Sequence, residues 1–322
     1  MCRSITFAKF RVEVKAQDNL QLPAYKGSCL RGAFGNALKR VGCTCDSRKP
    51  ALAAEVGSCV YHYLFEPQAV KADGGPGGVR DIPQPFLLIP PLESKTQYEP
   101  GESLIFEFIL IGKAILCLPY FLVAFELMGI HGLGKGKGRY QLESVHTIDA
   151  SGRAEPLNLA RFSADRSNGN LIALEDVERF QPCPDSLSEI TFEFLTPTRL
   201  KYGNRLCDSP EFHVLYRNLA RRIGLLSFYH CGGKWRESIR EEIEKAEEVK
   251  LIRHRVDWFD WRRYSNRQES EMYLGGFVGR LAYRGDLAPF WSCLVLGTHL
   301  HIGKGATFGL GKFSISTDPS KQ

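Results

Sequence analysis

The sequence predicts an α+β protein made of two units of one plan, each with the element order β–α–β–β–α–β. Three observations lead there. A glycine- and lysine-rich stretch occurs twice, as "GIHGLGKGKGRYQLESV" (Gly129–Val145) and as "HIGKGATFGLGKFSIS" (His301–Ser316), each time running into a strand-like segment. Each copy follows an apolar, helix-like segment, Pro119–Met128 in the first half and Leu287–Leu296 in the second. Each half also opens on a strand-like run, "SITFAKFRVEV" and then "SEITFEFL", that leads through polar residues into an amphipathic helix. This order is the split βαβ, or ferredoxin-like (RRM-like), unit, here in tandem with a Gly-rich loop before the last strand of each copy.

The elements can be justified in order. In the opening strand Phe10, Val12 and Val14 alternate with Arg11 and Glu13. The first helix is predicted over Leu30–Val41: Leu30, Phe34, Ala37, Leu38 and Val41 share a face, while Arg31, Lys39 and Arg40 lie outside it. Strands follow at "PFLLIPP" and "ESLIFEFILIG". The second helix is predicted over Glu211–Phe228, with Ser209 as N-cap, Pro210 in the first helical position and Phe212, Leu215, Leu219 and Ile223 as the apolar stripe. Its hairpin strands are "EVKLIRHRVDWFDWRRYS" and "EMYLGGFVGRLAYRG", after a charged helix-like insert at Trp235–Glu248. Polar loop signals, "DASGRAEP" and "DRSNGN", mark the join. The expected division is residues 1–148 with a cysteine-containing insert at about 42–62, a linker at 149–188, and residues 189–322.

Composition narrows the class. The 322 residues carry 42 Lys and Arg against 36 Asp and Glu, a formal charge of +6. That suits a polyanionic partner without requiring one. The strand-like N-terminus argues against a signal peptide. The apolar stretches "LIFEFILIGKAILCLPYFLVAFELMG" and "FWSCLVLGTHL" are interrupted by Glu107, Lys113, Pro119 and Glu126, so no membrane span or membrane partner is expected. Ten irregularly spaced cysteines without a leader read as reduced thiols, which implies a cytoplasmic location.

Four groups of residues could carry chemistry. Gly303, Gly305, Gly309 and Gly311 with Lys304 and Lys312, like Lys135, Lys137 and Arg139 in the first copy, could bring amides and charge to a phosphate. The same glycines also suit a tight turn at positive φ. Arg253, Arg255, Arg262, Arg263 and Arg267 interleave with Trp258, Trp261 and Tyr264, a pattern suited to phosphate contact and base stacking, or to an ordinary amphipathic strand. Cys43, Cys45, Cys59 and His62 form C-x-C-x13-C-x2-H, donors proper to zinc or else a set of reduced thiols in a loop. His299 and His301 flank the second Gly-rich loop and His131 the first, with His62, His230, His213 and His254 elsewhere.

The segments "LPAYKGSCLRGAFGNALKRVGCTC", "CVYHYLFEP" and "GGFVGRLAYRG", with the final Gly-rich loop, resemble the RAMP superfamily of CRISPR systems, and within it the repeat-processing endoribonucleases. The resemblance implies cleavage of precursor CRISPR RNA by 2′-OH attack, leaving a 2′,3′-cyclic phosphate and a 5′-OH, with no cofactor for catalysis; zinc on the cysteine set would be structural. It implies CRISPR repeat RNA as the partner, with effector-complex subunits as further ones. In the family the start of the first helix commonly supplies catalytic groups, often a histidine. Here there is none, which leaves Tyr25 and Lys26 there, and His301 or His299 at the far loop, as catalytic candidates. Lys26, Arg31, Lys39 and Arg40 are the expected RNA ligands of that region. The missing histidine also suits a non-catalytic RNA-binding subunit of an effector complex, and the cysteine insert suits a protein-interaction module.

Overall fold

Strand β1 (Thr6–Ala16) is the spine of the N-terminal sheet. Phe10, Val12, Val14 and Ala16 are buried on one face, and Lys9, Arg11, Glu13 and Lys15 lie on the other. The computed structural model describes residues 2–43, 45, 59–68, 75–76, 79, 81–162, 171–203, 205–235, 238–260, 262–265, 270–273 and 275–317. After β1 come β2 (Leu20–Gln21), α1 (Gly27–Gly42), α2 (Val60–Phe65), β3 (Phe86–Ile89), β4 (Gln97–Tyr98), β5 (Ser103–Ile111), α3 (Leu118–His131), β6 (Tyr140–Ile148), β7 (Ala154–Pro156) and β8 (Ile172–Ala173). The sheet runs β3-β5-β1-β6-β7, antiparallel throughout, with β8 paired to the start of β1. The series β1–α1–β3–β5–α3–β6 is the split βαβ unit.

Aromatic rings fill the space between this sheet and its helices. Phe34 of α1 lies 4.6 Å from Phe121 and 5.2 Å from Phe125 of α3, and 5.9 Å from both Phe65 and Phe86. Burying such a ring stabilises by roughly 1.5–3 kcal/mol. The outer face is held by charge, with Glu107 accepting from Lys9 at 2.8 Å and Arg11 at 3.1 Å. The segment Gly112–His131 is long and apolar enough, by length and composition, to cross a membrane. Its Phe121, Ala124, Phe125 and Met128 are buried in this core.

The C-terminal unit holds α4 (Leu174–Phe180), β9 (Glu189–Thr198), β10 (Leu200–Tyr202), β11 (Arg205–Cys207), α5 (Phe212–His230), α6 (Arg240–Glu248), β12 (Lys250–Phe259), β13 (Arg262–Ser265), β14 (Ser270–Tyr273), β15 (Gly276–Arg284), α7 (Trp291–Leu300) and β16 (Phe313–Ser316). Its sheet order, β12-β15-β9-β16, gives β9–α5–β12–β15–α7–β16 the same topology as the first unit. Ile190, Phe192, Phe194, Leu281, Tyr283 and Phe313 line the core face. The Tyr283 hydroxyl, buried with them, donates to the Pro210 carbonyl at 2.7 Å.

Contacts divide the chain into Ser4–Ala173 with Leu225–Trp235, and Met1–Arg3 with Leu174–Gly224 and Arg236–Gln322. The end of α5 therefore counts with the first unit: Leu225 packs with Val79 and Ile82, and His230 is buried between the Tyr63 hydroxyl and the Pro83 carbonyl. Three segments differ from the sequence expectation. Residues 149–188 are not a bare linker, since they contain β7, β8 and α4, and Ile172–Ala173 completes the pairing of β1. Helix α5 begins at Phe212, leaving Ser209 and Pro210 ahead of it. Of the charged insert, Arg240–Glu248 is helical.

Candidate functional site

The Gly-rich loops are built differently from phosphate cradles. In the first, Leu133 N–H donates to Gly138 O, Lys135 N–H to Gln21 O and Arg139 N–H to the Asp18 carboxylate. A Cβ on Gly134 would lie 2.2 Å from the Gln21 carbonyl oxygen. In the second, Lys304 N–H donates to Arg199 O, Gly311 N–H to Pro197 O, and Lys312 N–H to the Thr196 hydroxyl. Gly303 packs against the Arg199 carbonyl. Gly305 (φ 82°) and Gly309 (φ 80°) flank a short 3-10 turn in the left-handed region. These amides are already bonded inside the protein, so the loops offer lysine charge rather than a ring of free N–H groups. Lys135, Lys137 and Lys304 are exposed. Lys312 is half-buried, and Arg139 is held by Asp18 at 2.8 Å.

Three of the four proposed proton carriers are interior or unsuited to act as bases. Lys26 precedes α1 with 0% exposure, and its ammonium donates to Glu93 O at 2.9 Å and Ala24 O at 3.3 Å and lies 5.9 Å from the Tyr98 ring centre. It is a strut between two loops and no RNA ligand, because a ligand on the surface cannot reach it. Burial lowers its pKa and the Glu93 charge opposes that shift. Over the alkaline range below its ordinary value of 10.5 the unfolded chain therefore holds more protons than the native one, so stability rises with pH there. Lys26→Met should abolish that rise, as read from urea midpoints measured across the range; an unchanged slope would refute the burial.

His301 is 1% exposed; at φ 59° it turns inward after α7, and its ring meets the Leu310 carbonyl at 3.1 Å. That position corrects its assignment as a catalyst. Burial of the Tyr25 phenol raises its pKa far above the usual tyrosine value, so it can donate a hydrogen bond but not act as a base. His299 is half-buried on α7. His254 is exposed on β12, and His213 lies 5.5 Å from the Tyr202 ring.

The helical basic residues divide. Arg31 is half-buried, stacked 4.4 Å over Phe65 and donating to Gln84 at 3.1 Å. Lys39 and Arg40 are exposed at the end of α1. Arg40 Nη1 donates to Nε2 of His131, itself exposed at the end of α3, while the other ring nitrogen of His131 donates to Leu127 O at 2.8 Å. That carbonyl fixes the proton on Nδ1 and leaves the Nε2 lone pair outward beside a guanidinium. An imidazole and an arginine so paired can move a proton and hold phosphate charge.

A basic face lies on the C-terminal sheet. Cross-strand registers align Arg255 with Arg280 and Glu193, Arg253 with Ala282 and Thr191, and Lys250 with Arg284 and Glu189. Cross-strand partners point to the same side, and Leu281 and Tyr283 point to the other, toward the core. Arg280 and Arg284 are neutralised by Glu193 and Glu189 at 2.8 and 3.0 Å. Phe259, 49% exposed, shares the face of Arg253 and Arg255, while Trp258 on the opposite face donates to Asp260 at 2.8 Å. Arg262 and Arg263 belong to β13, paired with β14. Trp261 and Arg267 lie outside the described residues.

Residues 192–313 match the family model for the CRISPR-associated endoribonuclease Cas6, and residues 5–166 match AF_1859_N, described as an N-terminal domain. The first of these assigns residues 192–313, a segment of the C-terminal half, to the Cas6 family. Among solved structures it is similar to a partial Cas6-RT-Cas1–Cas2 complex, 13% identical over 97% of this chain and 46% of that one, with a TM-score of 0.60. A second Cas6-RT-Cas1–Cas2 complex matches over 29% of its chain, also at 0.60, so this chain spans less than half the length of these two relatives. Thermus thermophilus Cas6 is 16% identical over 97% of this chain and 99% of its own, at 0.52. A Cas6 product complex is 17% identical over 96% and 99%, at 0.53. At such identities the likeness concerns the fold, tandem ferredoxin-like units. No curated protein matches the chain.

The pairing of Arg40 with His131 is what sequence reading did not assemble. The two residues are 91 positions apart, and the available signal was the place of His131 ahead of the first Gly-rich loop, matching that of His301 ahead of the second.

Proposed function

We propose that this chain binds CRISPR repeat RNA and cuts it without a metal, a ribose 2′-OH attacking the adjacent phosphate to leave a 2′,3′-cyclic phosphate and a 5′-OH. The observation that carries the reading is the match of residues 192–313 to the Cas6 endoribonuclease family. The exposed Arg253, Arg255 and Phe259 supply phosphate contacts and a stacking surface, and the exposed lysines of the Gly-rich loops add charge. In this scheme the RNA phosphate draws Arg40 from the imidazole, and the freed Nε2 of His131 takes the 2′-OH proton. Arg40 steadies the charge on the phosphorane, and the leaving 5′-oxygen takes its proton from water.

The test is incubation of the full chain with its repeat RNA in EDTA, beside an RNA carrying one 2′-deoxy substitution at the cut bond. Cleavage of the first alone is expected. Cleavage that needs added divalent metal, or that persists in the deoxy RNA, would refute the mechanism. The interior positions of Lys26 and His301 favour a second reading, an RNA-binding subunit that does not cut. Tight, salt-sensitive binding with both RNAs intact would select it.

A further inference from the structure

Two helix ends bring four soft donors to one point. Cys43 caps α1, Cys45 follows it, Cys59 immediately precedes α2, and His62 lies in the first turn of α2. One donor atom from each lies within 4.8 Å of all the others. His62 Nδ1 is 3.1 Å from Cys59 Sγ and 3.5 Å from Cys45 Sγ, while its Nε2 faces Glu66 at 3.7 Å. Around a tetrahedral zinc ion, with Zn–S about 2.3 Å and Zn–N about 2.0 Å, neighbouring donor atoms stand roughly 3.5–3.8 Å apart. The cluster is already close to that spacing.

We propose that Cys43, Cys45, Cys59 and His62 hold a structural zinc ion, with Nδ1 of His62 as ligand and Glu66 orienting the ring through Nε2. Three thiolates and one imidazole close the coordination sphere, so the site has no open position for a substrate or catalytic water. A carboxylate on the far nitrogen of a ligating histidine fixes the tautomer that binds. A disulfide is the poorer use of these groups, since it would join two of the three thiols and leave the third thiol and the imidazole without a role.

The metal would tie the end of α1 to the start of α2 across residues 46–58. The two helices are fitted closely: a Cβ on Gly35 would lie 2.8 Å from the Phe65 ring, and one on Gly42 would lie 3.4 Å from Val60. Phe65 in turn carries Arg31 and borders the Phe34 cluster. Zinc would therefore hold the lid of the N-terminal aromatic core. This inference does not depend on RNA cleavage.

The full chain, purified under reducing conditions and supplied with zinc alone, should retain about one zinc per chain after desalting. Three cysteines should become alkylated in the native protein only after a chelator is added, a readout that needs no variant. Cobalt put in place of zinc should give the visible bands of a tetrahedral thiolate site. Cys45→Ser and His62→Ala should each lower retained zinc at least about fivefold, while Cys183→Ser, at an exposed site elsewhere, should retain it. Retention below about 0.2 zinc per chain after reconstitution, an alkylation count unmoved by chelator, or a mass showing a disulfide among these cysteines would overturn the proposal.

Discussion

Gly311→Ala should cost the C-terminal unit about 4 kcal/mol or more, placing it among the most destabilising single substitutions in the chain. Gly311 sits at φ +70°, where an L side chain is strained by roughly 1–2 kcal/mol on its own. Steric overlap adds more than that strain does. A Cβ there would stand 1.8 Å from the Ile302 carbonyl oxygen, which belongs to backbone and cannot rotate away. Moving the loop would break the bonds from Ile302 N–H to Gly311 O and from Gly311 N–H to Pro197 O. Gly136 in the first loop provides the comparison, since it has φ +85° but nothing within 4 Å of its Cβ position. Gly136→Ala should cost only about 1–2 kcal/mol, the left-handed backbone strain alone. Urea unfolding, with hydrogen exchange in β9 and β16 for Gly311→Ala and in β1 and β6 for Gly136→Ala, would measure both. Equal losses would mean that the second loop does not pack on its own backbone.

That contrast shows where the sequence was legible. The repeat of Gly-rich loop and strand, and the alternation in β1 and β9, are local patterns, and they lead directly to the two units. The convergence of Cys43, Cys45, Cys59 and His62 was also legible, because two short spacings at the ends of two helices bring them together. What failed depends on residues far along the chain. Lys26 in "AYKGS" reads as a catalytic candidate and an RNA ligand, and its burial is set by Glu93, 67 residues away, and by Tyr98. The loop glycines read as a phosphate cradle, yet the acceptors that occupy the loops' amides include Gln21, Arg199 and Pro197, which lie outside the motif. His301 reads as a loop-side catalyst from its adjacency alone, and a positive φ at that residue turns its side chain inward. The fold follows from pattern, whereas access to solvent follows from tertiary contacts that no single segment encodes.

His131→Ala should slow cleavage of repeat RNA by about 10²–10⁴-fold, the usual contribution of a positioned proton carrier. RNA affinity should change little, because the phosphate contacts proposed for Arg253, Arg255 and the loop lysines would remain. Arg40→Ala should fall in the same range, and Arg40→Lys should recover only part of the rate, since an ammonium lacks the planar fork that can meet imidazole and phosphate in turn. The two residues touch, so their effects should not add: the double variant should be little slower than the worse single one. Single-turnover rates at saturating protein separate the chemical step from binding. A merely structural role would instead lower the melting temperature and leave the single-turnover rate of the folded protein near that of the parent. If His131→Ala cuts at the parent rate, proton transfer belongs to another group. Lys26 and His301 are sealed in the interior and Tyr25 is held neutral, so the search would then move to His299 and the exposed His254 on the arginine-bearing strand.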